Sequence, residues 1–226
     1  MDMLAPIRQS GIAGTPVSYP WNMDISRAIR HPIPGDHERL ANAWGLVDLR
    51  ACFAAAMATA EWVAWRFQDI VDVGDTLNRI EAGYAAEVRL SFGSVPQPTE
   101  PFPSKLREVH GPLMLCRMLI ADAYELYAQS DTVVSAVGVS LSLLARHVCL
   151  PEAPFDAWLE SSMRTLHRSH PSDIDAAGRP PVPRQLFAAP EDWDPARTHD
   201  ALQSFLADLD PTRNPYLKAG VSFQLD

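Results

Sequence analysis

The sequence predicts an all-α protein, an irregular helical bundle of about six helices with proline-rich N- and C-terminal extensions. Apolar residues recur every three or four positions through most of the chain, which is the spacing of one helix face. The ten residues from Ala51 to Ala60 carry no charge, and a helix that is apolar on nearly every side has to be buried on every side. Most of the 20 prolines cluster where helices would be interrupted or ended, at residues 16–34, 96–103, 151–154 and 171–215.

The chain is expected to divide into three parts of one domain. Residues 1–35 form a proline-rich N-terminal extension, whose prolines forbid a long helix and leave room for a short turn at residues 24–30. Residues 36–168 form the central helical bundle. Residues 169–226 supply a proline-rich acidic loop, a final helix and an apolar tail that docks on the bundle.

The first helix of the bundle is predicted to start after Asp36, which can cap it, and to run to about Val71. At 1.5 Å per residue such a helix would span roughly 50 Å, so we expect a bend or break near Gly45. Asp75 is predicted to cap the second helix, which ends by Gly93.

The third helix is predicted to open at Ser104, and Gly111-Pro112 should kink or split it. The fourth runs from Thr132 to about Val148, and its nearly continuous apolar run indicates deep burial.

Two further helices and one strand complete the prediction. The fifth helix begins at Pro154 or Asp156 and ends at about His167. The last helix begins at Pro195, because proline suits the first turn of a helix. Alternation of apolar and polar residues over Val221–Leu225 predicts a short strand in the tail.

Composition and charge indicate what kind of partner the protein binds and in which compartment it is expected. The formal net charge of −9, from 28 acidic and 19 basic side chains, disfavours a nucleic-acid ligand and favours a basic protein partner. The three cysteines, Cys52, Cys116 and Cys149, lie among apolar residues and are expected to be reduced thiols in the core. The N-terminus lacks a signal-peptide pattern, and no uncharged stretch reaches the ~20 residues that cross a membrane. We therefore expect a cytoplasmic protein without membrane contact.

The best candidate for a metal site combines His167 and His170, which share a helix face, with Asp173 and Asp175 as oxygen ligands. Cationic side chains are also expected at a helix C-terminus, and the complete ligand pattern of a zinc site is missing. A di-iron site is disfavoured because no Glu-x-x-His pair occurs. We therefore predict no metal and no cofactor. The bundle glutamates are expected to be exposed or ion-paired, namely Glu61, Glu81, Glu87 and Glu125.

Two further motif fragments are incomplete. Asp69, Asp72 and Asp75 have the spacing of a carboxylate triad for Mg²⁺, but the second acidic cluster and the basic phosphate ligands are missing. A solvated acidic edge, with Arg66 as a pairing partner, is the expected outcome. The segment Gly138-Val-Ser-Leu-Ser142 lacks the second glycine of a nucleophile elbow.

Three tryptophans, Trp44, Trp62 and Trp65, have the composition of an aromatic ligand cage. Their helical spacing favours core packing instead, because large aromatic side chains dominate burial energetics. Glu61 and Arg66 are then expected on the exposed side of the same helix.

With no catalytic residue predicted, the chain is interpreted as a non-catalytic protein-binding protein. In its most concrete form it is an immunity- or antitoxin-type inhibitor of a toxin, which occludes a basic partner. Two acidic edges are the candidate contacts, Asp69 with Asp72 and the loop Asp192-Trp193-Asp194. Trp193 is the preferred anchor because buried tryptophans are frequent interface hot spots.

Three alternatives stay open at this point. One is an enzyme whose site is assembled from distant residues, for instance a metal-dependent one using His167 and His170. Another is a structural or adaptor subunit of a larger assembly. The third concerns the role of Trp193. Burial of a large aromatic side chain favours a structural role, in which Trp193 holds the long loop on the bundle. Oligomeric state and partner identity do not follow from the sequence.

Overall fold

The computed structural model describes residues 1–33, 35–99, 107–172 and 179–225. Over these residues the chain is helical and has no β-strand, which confirms the all-α prediction. Within these ranges there are nine α-helices rather than six, because α1 and α2 form in the N-terminal extension and α3 is separate from α4. The helices are α1 (Ala5–Ser10), α2 (Met23–Arg30), α3 (Glu38–Gly45), α4 (Leu49–Arg66), α5 (Gly74–Val88), α6 (Arg107–Ala128), α7 (Val134–Val148), α8 (Ala153–Ser169) and α9 (Thr198–Ala207).

Helix α4 is the centre of the bundle. Every residue from Ala51 to Arg66 is buried, and α5, α6, α7 and α8 pack around it. Small residues on the neighbouring helices permit the close approach. A Cβ atom at Gly83 of α5 would lie 2.3 Å from the sulfur of Met57, so a larger residue there would displace the Met57 side chain. The central rod expected from the uncharged stretch is present.

The predicted break near Gly45 is confirmed, because α3 ends there and α4 begins at Leu49. Asp48 caps α4: its Oδ1 accepts a hydrogen bond from the N–H of Ala51 at 2.8 Å. Helix α4 ends before the expected Val71. The chain therefore turns between two shorter helices instead of extending one long rod.

Two predicted helix caps are wrong. The residue before α3 is His37 rather than Asp36, and its side chain makes no capping hydrogen bond. The residue before α5 is Val73, so Asp75 lies within the first turn of that helix. There Asp75 accepts a hydrogen bond from Nε of Arg79 at 2.9 Å. A carboxylate in the first turn still suits the helix dipole, although it caps nothing.

Pro112 lies inside α6, and the expected split does not occur. A proline leaves the carbonyl four residues earlier without its N–H donor, here the carbonyl of Glu108. The hydroxyl of Tyr19 donates to that carbonyl at 2.6 Å. Trp21 packs against Gly111, where a Cβ atom would lie 2.0 Å from the indole nitrogen. The N-terminal segment thus replaces the hydrogen bond that the proline removes.

The C-terminal region covers the bundle with extended segments, two 3₁₀ turns and α9. The 3₁₀ turns span Arg184–Ala188 and Pro195–Arg197, and the second leads into α9 close to the predicted helix start. The predicted strand at Val221–Leu225 is wrong, because these residues pair with no neighbouring segment. The tail is held by side chains instead, since Phe223 packs edge to face on Phe92 with ring centroids 5.2 Å apart.

The remaining helices lie close to their predicted bounds, although Ser104, the predicted start of the third helix, lies outside the described residues. No helix in the described ranges combines the length and the apolar character needed to cross a membrane.

Replacing Ala56 by leucine is expected to destabilise the protein by about 1–3 kcal/mol, because the extra atoms overpack the centre of the bundle. Ala56 is fully buried on α4. The free energy of unfolding in urea measures the effect. Ala157→Leu is the matched control, since Ala157 is an exposed alanine on α8, and it should leave the free energy of unfolding nearly unchanged. Equal effects of the two substitutions would contradict the central position of α4.

Candidate functional site

Glu61 of α4 is fully buried, contrary to the expectation of an exposed side chain. Arg184 binds both oxygens of its carboxylate: Nε donates to Oε1 at 2.7 Å, and a terminal nitrogen donates to Oε2 at 2.6 Å. The hydroxyl of Tyr84 donates to Oε1 at 3.1 Å. Burial lowers the pKa of Arg184, but the adjacent carboxylate of Glu61 outweighs it and holds that pKa above its ordinary value. A buried pair is tolerated when its geometry is this close and its remaining hydrogen bonds are made.

Arg66, at the other end of α4, is also buried and meets carbonyl oxygens. Its Nε donates to the carbonyl of Val148 at 2.9 Å. Its terminal nitrogens donate to the carbonyls of Thr15 at 2.6 Å and Pro16 at 3.0 Å. The expectation of an exposed Arg66 is therefore wrong. The side chain joins the N-terminal segment to the end of α7.

The start of α4 carries a second pair of charges. Asp48 forms an ion pair with Arg179 at 3.0 Å. Nε of Arg50 lies 3.6 Å from Oε1 of Glu87 on α5, and a terminal nitrogen of Arg50 donates to the carbonyl of Arg179 at 3.2 Å. The N–H of Val182 donates to the same Glu87 oxygen at 3.0 Å. The segment that begins at Arg179 is therefore attached to both α4 and α5.

Glu87 is less well satisfied than Glu61. Its side chain is 1% exposed, and its Oε2 is buried without a hydrogen-bond partner in the described structure. Burial raises the pKa of Glu87 to about 8, although Arg50 and the N–H of Val182 act in the opposite direction, and nearby Asp48 raises it further. The carboxyl is therefore mostly protonated at neutral pH.

A cleft of about 740 Å³ opens next to this group. Its walls are formed by the start of α4 and the ends of α5 and α8, together with the proline-rich segment, the loop that contains Trp193, α9 and the tail. We call it the Trp193 cleft, and its defining residues are Arg50, Arg89, His170, Pro180, Pro181, Pro183, Trp193 and Leu202. Its volume falls within the range of small-molecule sites.

The lining of the Trp193 cleft is opposite in charge to the chain as a whole. Among its described lining residues are two arginines, Arg50 and Arg89, and two histidines, His170 and His199, but no Asp or Glu. The guanidinium of Arg89 lies over the ring of Phe92 at 5.0 Å. In a chain of net charge −9, the described lining of this cleft thus combines arginine side chains with apolar walls.

The loop Asp192-Trp193-Asp194 lies at this cleft. Trp193 is half-buried and forms part of the wall, whereas the two flanking aspartates are exposed and are not among the lining residues. Oδ1 of Asp194 accepts a hydrogen bond from the N–H of Ala196 at 3.0 Å and starts the 3₁₀ turn before α9. The carboxylates thus belong to the rim of the cleft, and the tryptophan to its interior.

Asp69 and Asp72 lie elsewhere, in the loop between α4 and α5, and both are exposed. Oδ1 of Asp72 accepts a hydrogen bond from the N–H of Gly74 at 2.8 Å, so part of its role is to shape the loop. Asp69 has a left-handed backbone conformation, with φ of 69°. Neither residue lines the Trp193 cleft, so the two predicted acidic edges do not form one site.

The histidines considered for a metal site face different clefts. His170 is buried in the wall of the Trp193 cleft, where its Nε2 donates to the carbonyl of Pro180 at 3.0 Å. His167 is exposed and lines a separate cleft between α3 and α8. Asp173 and Asp175 lie outside the described residues. Among the residues that are described, no group of three or more candidate ligands is placed to hold a metal ion.

The remaining candidates have structural roles. Trp44, Trp62 and Trp65 are buried in the core, as their spacing predicted, and Trp62 packs against Trp158 with ring centroids 5.4 Å apart. Ser142 lies in the middle of α7, where its hydroxyl donates to the carbonyl of Gly138 at 2.9 Å, so no nucleophile elbow forms. The three cysteines are buried and unpaired. Burial raises the pKa of the thiols of Cys52 and Cys116 to about 12, which keeps them unreactive.

Sequence reasoning missed Arg50 and Arg89 as cleft residues and did not distinguish Glu87 from the other glutamates. The arginines come from helix ends far apart in the chain, and only folding brings them to one cavity. For Glu87 there was a usable signal. It is the only charged residue in the run from Ala82 to Val88, and such an isolated carboxylate indicates a buried charge.

Glu87 is expected to make the protein less stable as pH rises from about 4.5 to about 8. Below this window both states carry the proton, and above it neither does. Within the window the unfolded chain has released the proton while the fold retains it, so the free energy of unfolding falls by about 1.4 kcal/mol per pH unit. Urea unfolding at several pH values should show this fall in the free energy of unfolding in the original protein and not in Glu87→Gln. Glu160→Gln, at an exposed position of α8, is the control and should keep the original profile.

Arg184→Met is expected to lower the free energy of unfolding by about 3–5 kcal/mol, because it leaves the carboxylate of Glu61 buried without its counter-charge. The double variant Glu61→Gln/Arg184→Met removes both charges and should be more stable than the single variant. Chemical unfolding of the three proteins measures the difference. A double variant no more stable than Arg184→Met would show that the loss comes from packing rather than from the unpaired charge.

No family model, curated protein or solved structure matches this chain.

Proposed function

We propose that the protein is a non-catalytic binding protein whose binding surface is the acidic rim of the Trp193 cleft, with Trp193 as its anchor. In its most concrete form it is an immunity- or antitoxin-type inhibitor that occludes a basic protein partner. The observation that carries the proposal is the position of Trp193, half-buried in a cleft wall between two exposed carboxylates. A large aromatic side chain in such a position is the kind of group on which binding energy concentrates.

The proline content of the walls supports a binding role. Pro180, Pro181, Pro183 and Pro195 all line the cleft. Proline fixes its own φ angle, so these walls lose little conformational freedom when a partner binds. Binding to a preorganised surface retains more of the contact energy as affinity.

The rim supplies the electrostatic part of the proposal. Asp192 and Asp194 are exposed on either side of Trp193, and the net charge of the chain is −9. Exposed carboxylates steer a basic partner and raise the association rate, more than they raise the final affinity. The rim therefore attracts the partner, and Trp193 anchors it.

The cysteines support a cytoplasmic site of action. Cys52, Cys116 and Cys149 are buried as free thiols, as expected of a protein that folds in a reducing compartment.

A photo-crosslinking amino acid at position 192 is expected to capture one protein of the native host. The same probe at Arg27, exposed on α2 and outside the lining of the Trp193 cleft, is the control and should not capture it. The captured partner is then purified, and its affinity is measured by calorimetric titration and its association rate by stopped-flow mixing. Trp193→Ala should weaken its affinity at least tenfold, and Asp192→Asn/Asp194→Asn should lower the association rate and its salt dependence. Unchanged affinity in a folded Trp193→Ala protein would refute the anchor.

The same purified pair separates an inhibitor from an adaptor. An inhibitor of the immunity type abolishes the partner's enzymatic activity at a one-to-one ratio, and Trp193→Ala should require an excess. A stable complex in which the partner keeps its full activity would refute inhibition and leave only the adaptor role.

A further inference from the structure

The interior of the Trp193 cleft differs in chemistry from its rim, and the difference points to a second kind of ligand. The rim carries Asp192 and Asp194, whereas the described lining contains Arg50, Arg89 and no carboxylate. A basic side chain of a partner protein would be repelled by this interior. An anion would be attracted.

The charge of Arg50 is only partly compensated at neutral pH. Among the described residues its ion-pair partner is Glu87, whose Oε1 lies 3.6 Å from Nε, longer than a hydrogen bond. Asp48, the other carboxylate close by, is paired with Arg179 at 3.0 Å. Oε2 of Glu87 is buried and has no partner in the described structure. A protonated carboxyl in this position leaves the guanidinium with its positive charge.

The position of Glu87 places it behind the floor of the cleft. Its neighbours Val88 and Arg89 line the cleft, and so does Arg50. Its Oε1 accepts a hydrogen bond from the N–H of Val182, and the prolines on both sides of Val182 are lining residues as well. The carboxyl is therefore one layer below the surface that a ligand would touch.

We propose that the Trp193 cleft binds a small organic acid, with the carboxylate at Arg50 and the apolar body against Trp193, Pro181 and Leu202. The cleft volume of about 740 Å³ admits a molecule of this kind. A guanidinium pairs with a carboxylate through two parallel hydrogen bonds, which gives the site its selectivity for acids. The inference goes beyond a protein partner at the rim, and it can hold whether or not such a partner exists.

The site has a built-in dependence on pH. The charged and titratable groups around Glu87 are Arg50 and Asp48 at the start of α4, Arg179, which pairs with Asp48, and Tyr127 of α6, whose hydroxyl donates to the Glu87 carbonyl at 3.2 Å. When Glu87 loses its proton, it neutralises Arg50 and repels a ligand carboxylate. Affinity for the acid therefore falls as pH rises through about 8, the raised pKa of Glu87.

Isothermal titration of the full chain with 4-phenylbutyrate and decanoate tests the proposal, with the two corresponding amides as neutral analogues of the same shape. At pH 7 each acid is expected to bind at least tenfold more tightly than its amide. Arg50→Met should abolish this preference, whereas Arg50→Lys should retain part of it. Arg164→Met, at an exposed position of α8 outside the lining, is the control and should keep the preference. Circular dichroism establishes that each variant is folded.

A second series between pH 7 and pH 9.5 separates a binding site from a merely structural Arg50. The original protein should lose affinity for the acid at least tenfold over this range, and Glu87→Gln should lose much less. Saturable binding of neither acid, or equal affinity for acid and amide, would overturn the proposal. Because these titrations contain only the protein and the acid, their failure is distinct from a failure to capture a protein partner at position 192.

Discussion

The fold depends on neutralising the charges that sit on a completely buried helix. Helix α4 has no exposed face from Ala51 to Arg66, yet it contains Glu61 and Arg66 and is capped by Asp48. An ionised side chain cannot remain in such a position without partners, because its desolvation costs several kcal/mol. Each of these groups has at least one partner from a part of the chain outside the core helices. Arg184 forms an ion pair with Glu61, and Arg179 forms one with Asp48. The carbonyls of Thr15 and Pro16 accept hydrogen bonds from Arg66.

This requirement explains how residues 179–184 are held on the bundle. Residues 179–184 have little regular structure, and two arginines, Arg179 and Arg184, tie them to α4. The prolines between these arginines then span the ends of α5 and α8. The Trp193 cleft lies where the chain crosses that gap. The cleft thus lies beside the segment from which the core obtains two of its counter-charges.

Sequence patterns predicted the elements whose determinants are local and missed those that depend on distant partners. The break after Gly45, the burial of the alanine-rich helix and the continuity of α7 follow from periodicity and helix geometry. The uninterrupted course of α6 through Pro112 does not, since it depends on a hydroxyl from Tyr19, 89 positions earlier than the carbonyl it reaches. Glu61 and Arg66 were misplaced for the same reason, because charge alone predicts exposure unless the partner is known. At the candidate site, the local sequence was enough to single out Trp193, an aromatic residue between two aspartates. Arg50 lines the same cleft only once the chain has folded.

The two buried glutamates differ in how completely their carboxyl groups are hydrogen-bonded. The less satisfied one, Glu87, marks a part of the molecule that is not optimised for stability. Glu61 has two close contacts from Arg184 and a third from Tyr84, and it holds the structure together. Glu87 has one backbone donor, a distant guanidinium and an oxygen that none of the described residues contacts through a hydrogen bond, although glutamine at the same position would not bury an ionisable group. Native proteins satisfy nearly all buried polar atoms, so an unsatisfied one calls for an explanation. Because the pair of Arg50 and Glu87 is loose and lies beside the Trp193 cleft, Arg50 can exchange its internal partner for an external anion. Arg184, which binds both oxygens of Glu61, could not do so.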